Sequence, residues 1–218
     1  RSKGYRFSRR QIRDGIEAAD AAEKAFLEDL YDRGDSFLEK TKDRIAYLGI
    51  GRDYVVLDPE ASSYAGAMFS QTRGLDFIPQ IFLRHRFAAL SQELKRTEYW
   101  CESIDILRAH LYAASRPGLY PIRLMNFGCG PDSMKIYQEE RIHLAGGKPM
   151  LTLLTDAQTN NAPFLTRTEA FERVVHSHYH KEHEHDRHHK PQPPRRTDVA
   201  AALHGNQQPD RGGVPASL

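Results

Sequence analysis

Four short apolar runs punctuate the chain, at Ile45–Ile50, Phe77–Leu83, Ile122–Phe127 and Met150–Leu154, and the stretches between them carry helical spacing. Strands that alternate with helices pair in parallel, because a parallel crossover needs the length that a helix supplies. The pattern predicts an α/β fold: a small open, mainly parallel four-stranded sheet flanked by helices. Pro79, inside the second run, predicts an edge position or a strand start, since it has no N–H for a ladder. Ligands in such sheets gather at the carboxyl ends of the strands, which directs attention to the loops after Ile50, Leu83, Phe127 and Leu154.

A long amino-terminal helix comes first. Ser8 and Gln11 form a capping-box pair, and Ile12, Ile16, Ala19, Phe26, Leu27 and Leu30 then recur at helical spacing. Gly34 is expected to bend this helix, which reads as an amphipathic element lying across the sheet. Further helices are predicted at Ala61–Gln71, stopped by Gly74; at Glu93–Ser115, ended by Arg116-Pro117-Gly118; at about Asp132–Ala145, with Pro131 in its first turn; and at Thr166 to about His176.

From His176 the composition changes. Seven of the chain's eleven histidines lie between His176 and His189, and Pro191, Pro193 and Pro194 follow. With little to bury, this segment is expected to be a disordered, His-rich tail. Imidazoles at His176 and His180, or at His185 and His189, have the spacing to bind zinc, nickel or copper, and adventitious binding by a flexible tail is the expectation. The organisation is therefore read as 1–43, a long helix packing on the domain; 44–175, the α/β domain; and 176–218, the tail.

Charge narrows the partners. Lys and Arg number 31 and Asp and Glu 29, a net charge of +2, which argues against nucleic acid or an anionic membrane. No apolar run has the length of a spanning helix, and Arg1–Arg10 lack the apolar core of a signal peptide. Two cysteines, Cys101 and Cys129, make no disulfide framework, so a cytoplasmic protein with reduced thiols is expected. The start at Arg1 raises the expectation of a carboxy-terminal piece of a larger protein.

The most informative stretch is Asn126-Phe127-Gly128-Cys129-Gly130-Pro131-Asp132-Ser133, where a strand hands over to a helix. Gly128 and Gly130 allow a tight turn and close approach by another group. Cys129 is thereby held at the mouth of the sheet, and a helix amino terminus there favours thiolate over thiol. Three readings stay open from the residues alone: metal ligand, nucleophile with His143 as the nearest candidate base, or inert packing. A dinucleotide fingerprint is disfavoured because Ser133 stands where its third glycine belongs, and no Lys-Ser or Lys-Thr completes a phosphate-cradling loop.

The stretch Tyr120–Val174 resembles the end of the large activase-related proteins of the 2-hydroxyacyl-CoA dehydratase family. Those proteins share a strand, Phe-Gly-Cys-Gly and a helix, then Gly-Lys-Pro, a strand ending near an Asp, and a Thr-Arg-x-Glu-Ala helix. Here these are Phe127–Gly130, Gly147-Lys148-Pro149, Asp156 and Thr166–Ala170, in that order. Gly51-Arg52-Asp53-Tyr54 and Asp58-Pro59 resemble the family's Gly-Arg-x-Tyr and Asp-Pro segment. The likeness covers roughly residues 5–175. The resemblance implies an iron–sulfur-associated domain, with Cys129 as one ligand, between Gly128 and Gly130, of a 4Fe-4S or double-cubane cluster completed by segments outside this chain. It further implies a partner ATP-dependent activase domain or subunit, other domains of the dehydratase-like module, and electron transfer to an acyl-CoA or another difficult substrate. The chain carries no ATPase motif, so independent catalysis is not expected. The alternative is a non-catalytic scaffolding domain that docks onto the ATPase or dehydratase subunits.

Other residues read more plainly. Cys101, beside Trp100 on a helix, is expected to pack as a small hydrophobe rather than serve as a second ligand. Asp58 and Glu60 could pair for acid–base work, but Asp58 before Pro59 reads as a helix cap; Asp156, at a strand end where function is better placed, reads as a turn residue; and Arg52, at a strand mouth where it could meet a CoA phosphate, reads as a solvated loop arginine.

Overall fold

In the computed structural model, which describes residues 6–62, 64–126, 128–155 and 161–186, the four apolar runs form one parallel sheet. Strands β1 (Ala46–Ile50), β2 (Phe77–Pro79), β3 (Leu119–Asn126) and β4 (Leu151–Thr155) lie in the order β2-β1-β3-β4. Leu48 of β1 stands between Ile78 and Pro121, and Ile122 of β3 is level with Leu151. β1 is buried along its whole length and β3 up to Met125, because helices cover both faces. On one face Tyr47, Tyr120, Ile122, Leu153, Phe171 and Val175 pack together. On the other, Leu38, Leu48, Ile50, Leu83, Phe87 and Ile106 do so.

Helix α1 (Arg9–Lys40) starts at the expected capping box: the Gln11 N–H donates to Ser8 Oγ at 3.2 Å and Gln11 Oε1 accepts from the Ser8 N–H at 2.9 Å. Gly34 does not interrupt it. A Cβ there would fall 2.1 Å from the Phe82 carbonyl oxygen, so the glycine is the point at which the helix touches the sheet layer.

Several boundaries differ from the sequence expectation. The second strand stops at Pro79 rather than Leu83, and Gln80–Leu83 form a 3-10 turn. Pro79 ends an edge ladder, and the buried Gln80 amide donates to the Gly51 carbonyl at 2.7 Å instead of continuing it. Two short helices lie between β1 and β2: α2 (Asp53–Leu57) and α3 (Ala65–Ala67), the latter running into a wide helical turn at Met68–Thr72. The expected helix from Ala61 is shortened because Asp58 caps the Ala61 N–H at 2.8 Å and Tyr64 takes a left-handed φ of 58°. After the 3-10 turn comes α4 (Arg84–Phe87). Glu93–Ser115 is divided into α5 (Leu94–Thr97) and α6 (Cys101–Ser115), separated where the buried Glu98 pairs with Lys135. The helix after the Gly-Cys-Gly turn is likewise two pieces, α7 (Gly130–Ser133) and α8 (Ile136–Ala145).

The largest correction is at the end. Helix α9 (Asn161–Asp186) runs well into the segment expected to be disordered, so the boundary placed at 175/176 falls inside a helix. Its buried stripe continues past Val175: Tyr179 packs on the core and its hydroxyl donates to the Asp43 carbonyl at 2.8 Å, while His178 Nε2 lies 2.9 Å from the Gly147 carbonyl. The remainder of the expected tail, 187–218, lies outside the described residues. Among the described residues no helix is long and apolar enough to cross a membrane.

Candidate functional site

The chain leaves β1 for β2 on one side, and β3 then takes the place on the other side of β1. Strand order reverses between β1 and β3, which opens a crevice at their carboxyl ends. Gly51 lets β1 end tightly there, since a Cβ would fall 2.4 Å from the Leu124 carbonyl oxygen of β3. Arg52 follows from β1 and Cys129 from β3, so the two meet in that crevice.

Cys129 is half-buried. Gly128 before it has φ +76°, a conformation that a Cβ would strain. Among the described residues, chain neighbours apart, no atom lies within 4 Å of the Cβ position at either Gly128 or Gly130, which leaves room over the turn for an incoming group. The Cys129 carbonyl accepts from the Ser133 N–H at 3.0 Å and from its hydroxyl at 2.9 Å, which closes the turn from below. The single-turn α7 offers little macrodipole, in contrast to the long helix expected. The positive charge at the site comes instead from Arg52. Burial works against that charge, but Asp132, Glu102 and the Cys129 sulfur outweigh it and raise the Arg52 pKa. Arg52 is thus not a solvated loop residue.

Behind this pair runs a buried chain of alternating charges. Arg52 Nε donates to Asp132 Oδ1 at 3.1 Å, and its other arm reaches Glu102 at the start of α6. Asp132 Oδ2 lies 3.3 Å from Arg123 Nη2, and Arg123 Nε donates to Glu139 of α8 at 3.1 Å. Glu139 Oε2 is 3.5 Å from His110 Nε2, and His110 Nδ1 is 2.8 Å from His143 Nε2. Arg123, Glu139 and His110 are 0% exposed and Asp132 1%. Burial raises the Glu139 pKa, yet His110 and Arg123 prevail and hold it below its usual value. Burial and the neighbouring His110 push His143 down to about 2, so it is neutral. His143 therefore faces His110 rather than serving Cys129 as a base.

None of Arg123, Asp132, Glu139 or His110 was singled out by sequence reasoning. The available signal was Arg123 itself, a charge inside an apolar strand, which requires a buried partner. Cys101 is exposed at the first position of α6 and not packed as expected, while its neighbour Glu102 reaches Arg52. Asp58 caps a turn as anticipated. Asp156 lies outside the described residues. Among the described residues no group of three or more His, Cys, Asp or Glu side chains stands together to hold a metal ion.

The arrangement offers one sulfur beside a cation at the mouth of a crevice, with room above it. No family model matches this chain, and no match was found among curated proteins or among solved structures.

Proposed function

We propose that the chain is a module of a 2-hydroxyacyl-CoA dehydratase- or activase-type system that gives the Cys129 thiolate to an iron–sulfur cluster. The cluster, of 4Fe-4S or double-cubane type, is completed by cysteines of other domains or subunits. The observation that carries this reading is Cys129 at the β1/β3 crevice, beside Arg52 and under open space at Gly128 and Gly130. A soft thiolate is the donor such clusters take. A single thiolate here fits a shared cluster and not one held by this chain alone. When bound, the cluster would supply a low-potential electron for dehydration of a 2-hydroxyacyl-CoA or reduction of a comparably difficult substrate. Cys129 holds, Arg52 balances negative charge, the glycines leave room, and Asp132 with Arg123 fixes the turn. An ATP-dependent activase domain or subunit is the partner that drives the electron, and the reducing cytoplasm is the compartment that keeps the thiols free.

The test is the assembled system, this chain together with its cysteine-bearing partner domains, loaded anaerobically with iron and sulfide. Cys129→Ser lowers the iron content or changes the electron paramagnetic resonance spectrum, because a hydroxyl replaces a thiolate poorly. Full iron content, an unchanged spectrum and full turnover in that variant would overturn the proposal in favour of a non-catalytic scaffold that docks onto the ATPase or dehydratase subunits.

A further inference from the structure

The first two-thirds of α1 project from the domain. Every residue from Arg6 to Phe26 is exposed, and burial begins only at Leu30, Gly34 and Leu38. Ile12, Ile16, Ala19 and Phe26 lie on the same side of the helix as those three anchors, by their spacing of three and four. One continuous apolar stripe therefore starts in solvent and ends in the core. Ile12 is 52% exposed, Ile16 57% and Phe26 61%. Helices in proteins draw most of their stability from packing an apolar face, and among the described residues this part of the stripe is not buried.

We propose that this face is an interface between two copies of the chain, paired as an antiparallel two-helix coil. Charge selects the partner and the direction. Arg6, Arg9, Arg10 and Arg13 make the start of the helix basic, with no acid among them. Asp14, Glu17, Asp20 and Glu23 follow, then Glu28, Asp29 and Asp32, against the bases Lys24 and Arg33, which lie 3.9 Å from Glu28 and 2.8 Å from Asp29 in the same helix and leave the segment net acidic. A parallel pair would set like charges side by side. An antiparallel pair sets the basic end of each helix against Glu28, Asp29 and Asp32 of the other. The same arrangement, crossing at Ala19, brings Ile12 against Phe26 and Ile16 against Ala22 of the second copy. The centre is small: Ala18, Ala19, Ala21 and Ala22 let two backbones approach closely at the crossing. Glu23, the one acid within the stripe, limits the register, as a polar residue in a coil seam does. The proposal is independent of the cluster at Cys129, so either can fail alone.

Light scattering on the full chain tests it. A mass near 50 kDa, twice the chain's 24.9 kDa, is expected, and Ile12→Asp with Ile16→Asp returns the monomer with an unchanged near-ultraviolet spectrum. Charge reversal keeps the test open should that variant fold poorly. Arg9→Glu, Arg10→Glu and Arg13→Glu together, and Glu28→Arg, Asp29→Arg and Asp32→Arg together, each give monomers, and an equal mixture of the two gives a mixed dimer. In a background of Cys101→Ser and Cys129→Ser, Ala19→Cys cross-links to itself on oxidation whereas Arg10→Cys does not. A wild-type monomer at the highest concentration reached, a dimer that survives Ile12→Asp with Ile16→Asp, or efficient self-cross-linking through Arg10→Cys would overturn the proposal.

Discussion

Arg123, in the middle of the central strand β3, stands 3.3 Å from Asp132, in the first turn after Cys129, and neither side chain is more than 1% exposed. The strand and the turn are thus joined by a charge pair as well as by the backbone. A buried pair adds little over a well-packed apolar pair, but removing one member leaves an uncompensated charge. Arg123→Met takes a cation from both Asp132, which keeps Arg52, and Glu139, which among the described residues keeps only His110, and is expected to cost about 3–5 kcal/mol. Adding Glu139→Gln restores part of that loss. Urea unfolding of the two variants measures both, and a single-variant loss well under 1 kcal/mol would contradict the described pairs.

The His143 imidazole sets an acid limit. Its folded pKa lies at about 2, below the ordinary 6.5, so the unfolded chain takes up a proton that the folded chain refuses. Stability is complete above pH 6.5 and falls as the pH drops below it, by at most about 1.4 kcal/mol per pH unit from this group. His143→Gln removes the titration and flattens the dependence of unfolding free energy on pH between 6.5 and 5. Glu139, whose pKa is lowered from 4.5, acts further down, giving stability that is present above that value and lost as pH falls beneath it.

Two glycines of the crevice separate crowding from strain. Gly51→Ala drives a methyl group into the Leu124 carbonyl, 2.4 Å away, and is expected to destabilise by about 1–3 kcal/mol or more. Gly128→Ala meets no atom among the described residues and is opposed by its φ of +76°, a cost of roughly 1–2 kcal/mol. The second change also shifts the Cys129 turn, so the rate of Cys129 alkylation in a Cys101→Ser background changes more with Gly128→Ala than with Gly51→Ala. Thermal melts paired with alkylation rates distinguish the two.

How α9 ends is open to direct measurement. A chain stopped after Val175 loses the Tyr179 bond to the Asp43 carbonyl and the His178 contacts with Gly147 and Tyr120. It is expected to melt several degrees below a chain stopped after Asp186, since each lost hydrogen bond contributes about 1 kcal/mol. Equal melting temperatures would show that the last turns of α9 add nothing.

The sheet was legible because β1 is an apolar run, β3 is one apart from Arg123, and Pro79 marks the edge. The capping box of Ser8 and Gln11 was legible because its two residue types have one geometry. The crevice was legible at Cys129, through its flanking glycines, but not at Arg52, whose burial depends on Asp132 and Glu102, far away in sequence. Arg123 carried a signal that periodicity does not weigh: a charge amid apolar neighbours. α9 was cut short for a related reason. Phe164, Phe171, Val175 and Tyr179 keep helical spacing, but the histidines and acids between them make the segment polar on average, and composition outweighed the stripe.

The bond from Tyr179 to Asp43 spans 136 positions of sequence. It joins the entry to the first strand with a helix that is among the last parts of the domain to be made. During synthesis, β1 and β3 leave the ribosome while Phe171, Val175 and Tyr179 are still to come, so one face of the nascent sheet has little besides Val55, Val56, Met68 and Phe69 to cover it. Completion waits on a long-range closure, which slows folding relative to a chain of local contacts. The nascent sheet is therefore most exposed to mispairing in the interval between the emergence of β4 and that of α9.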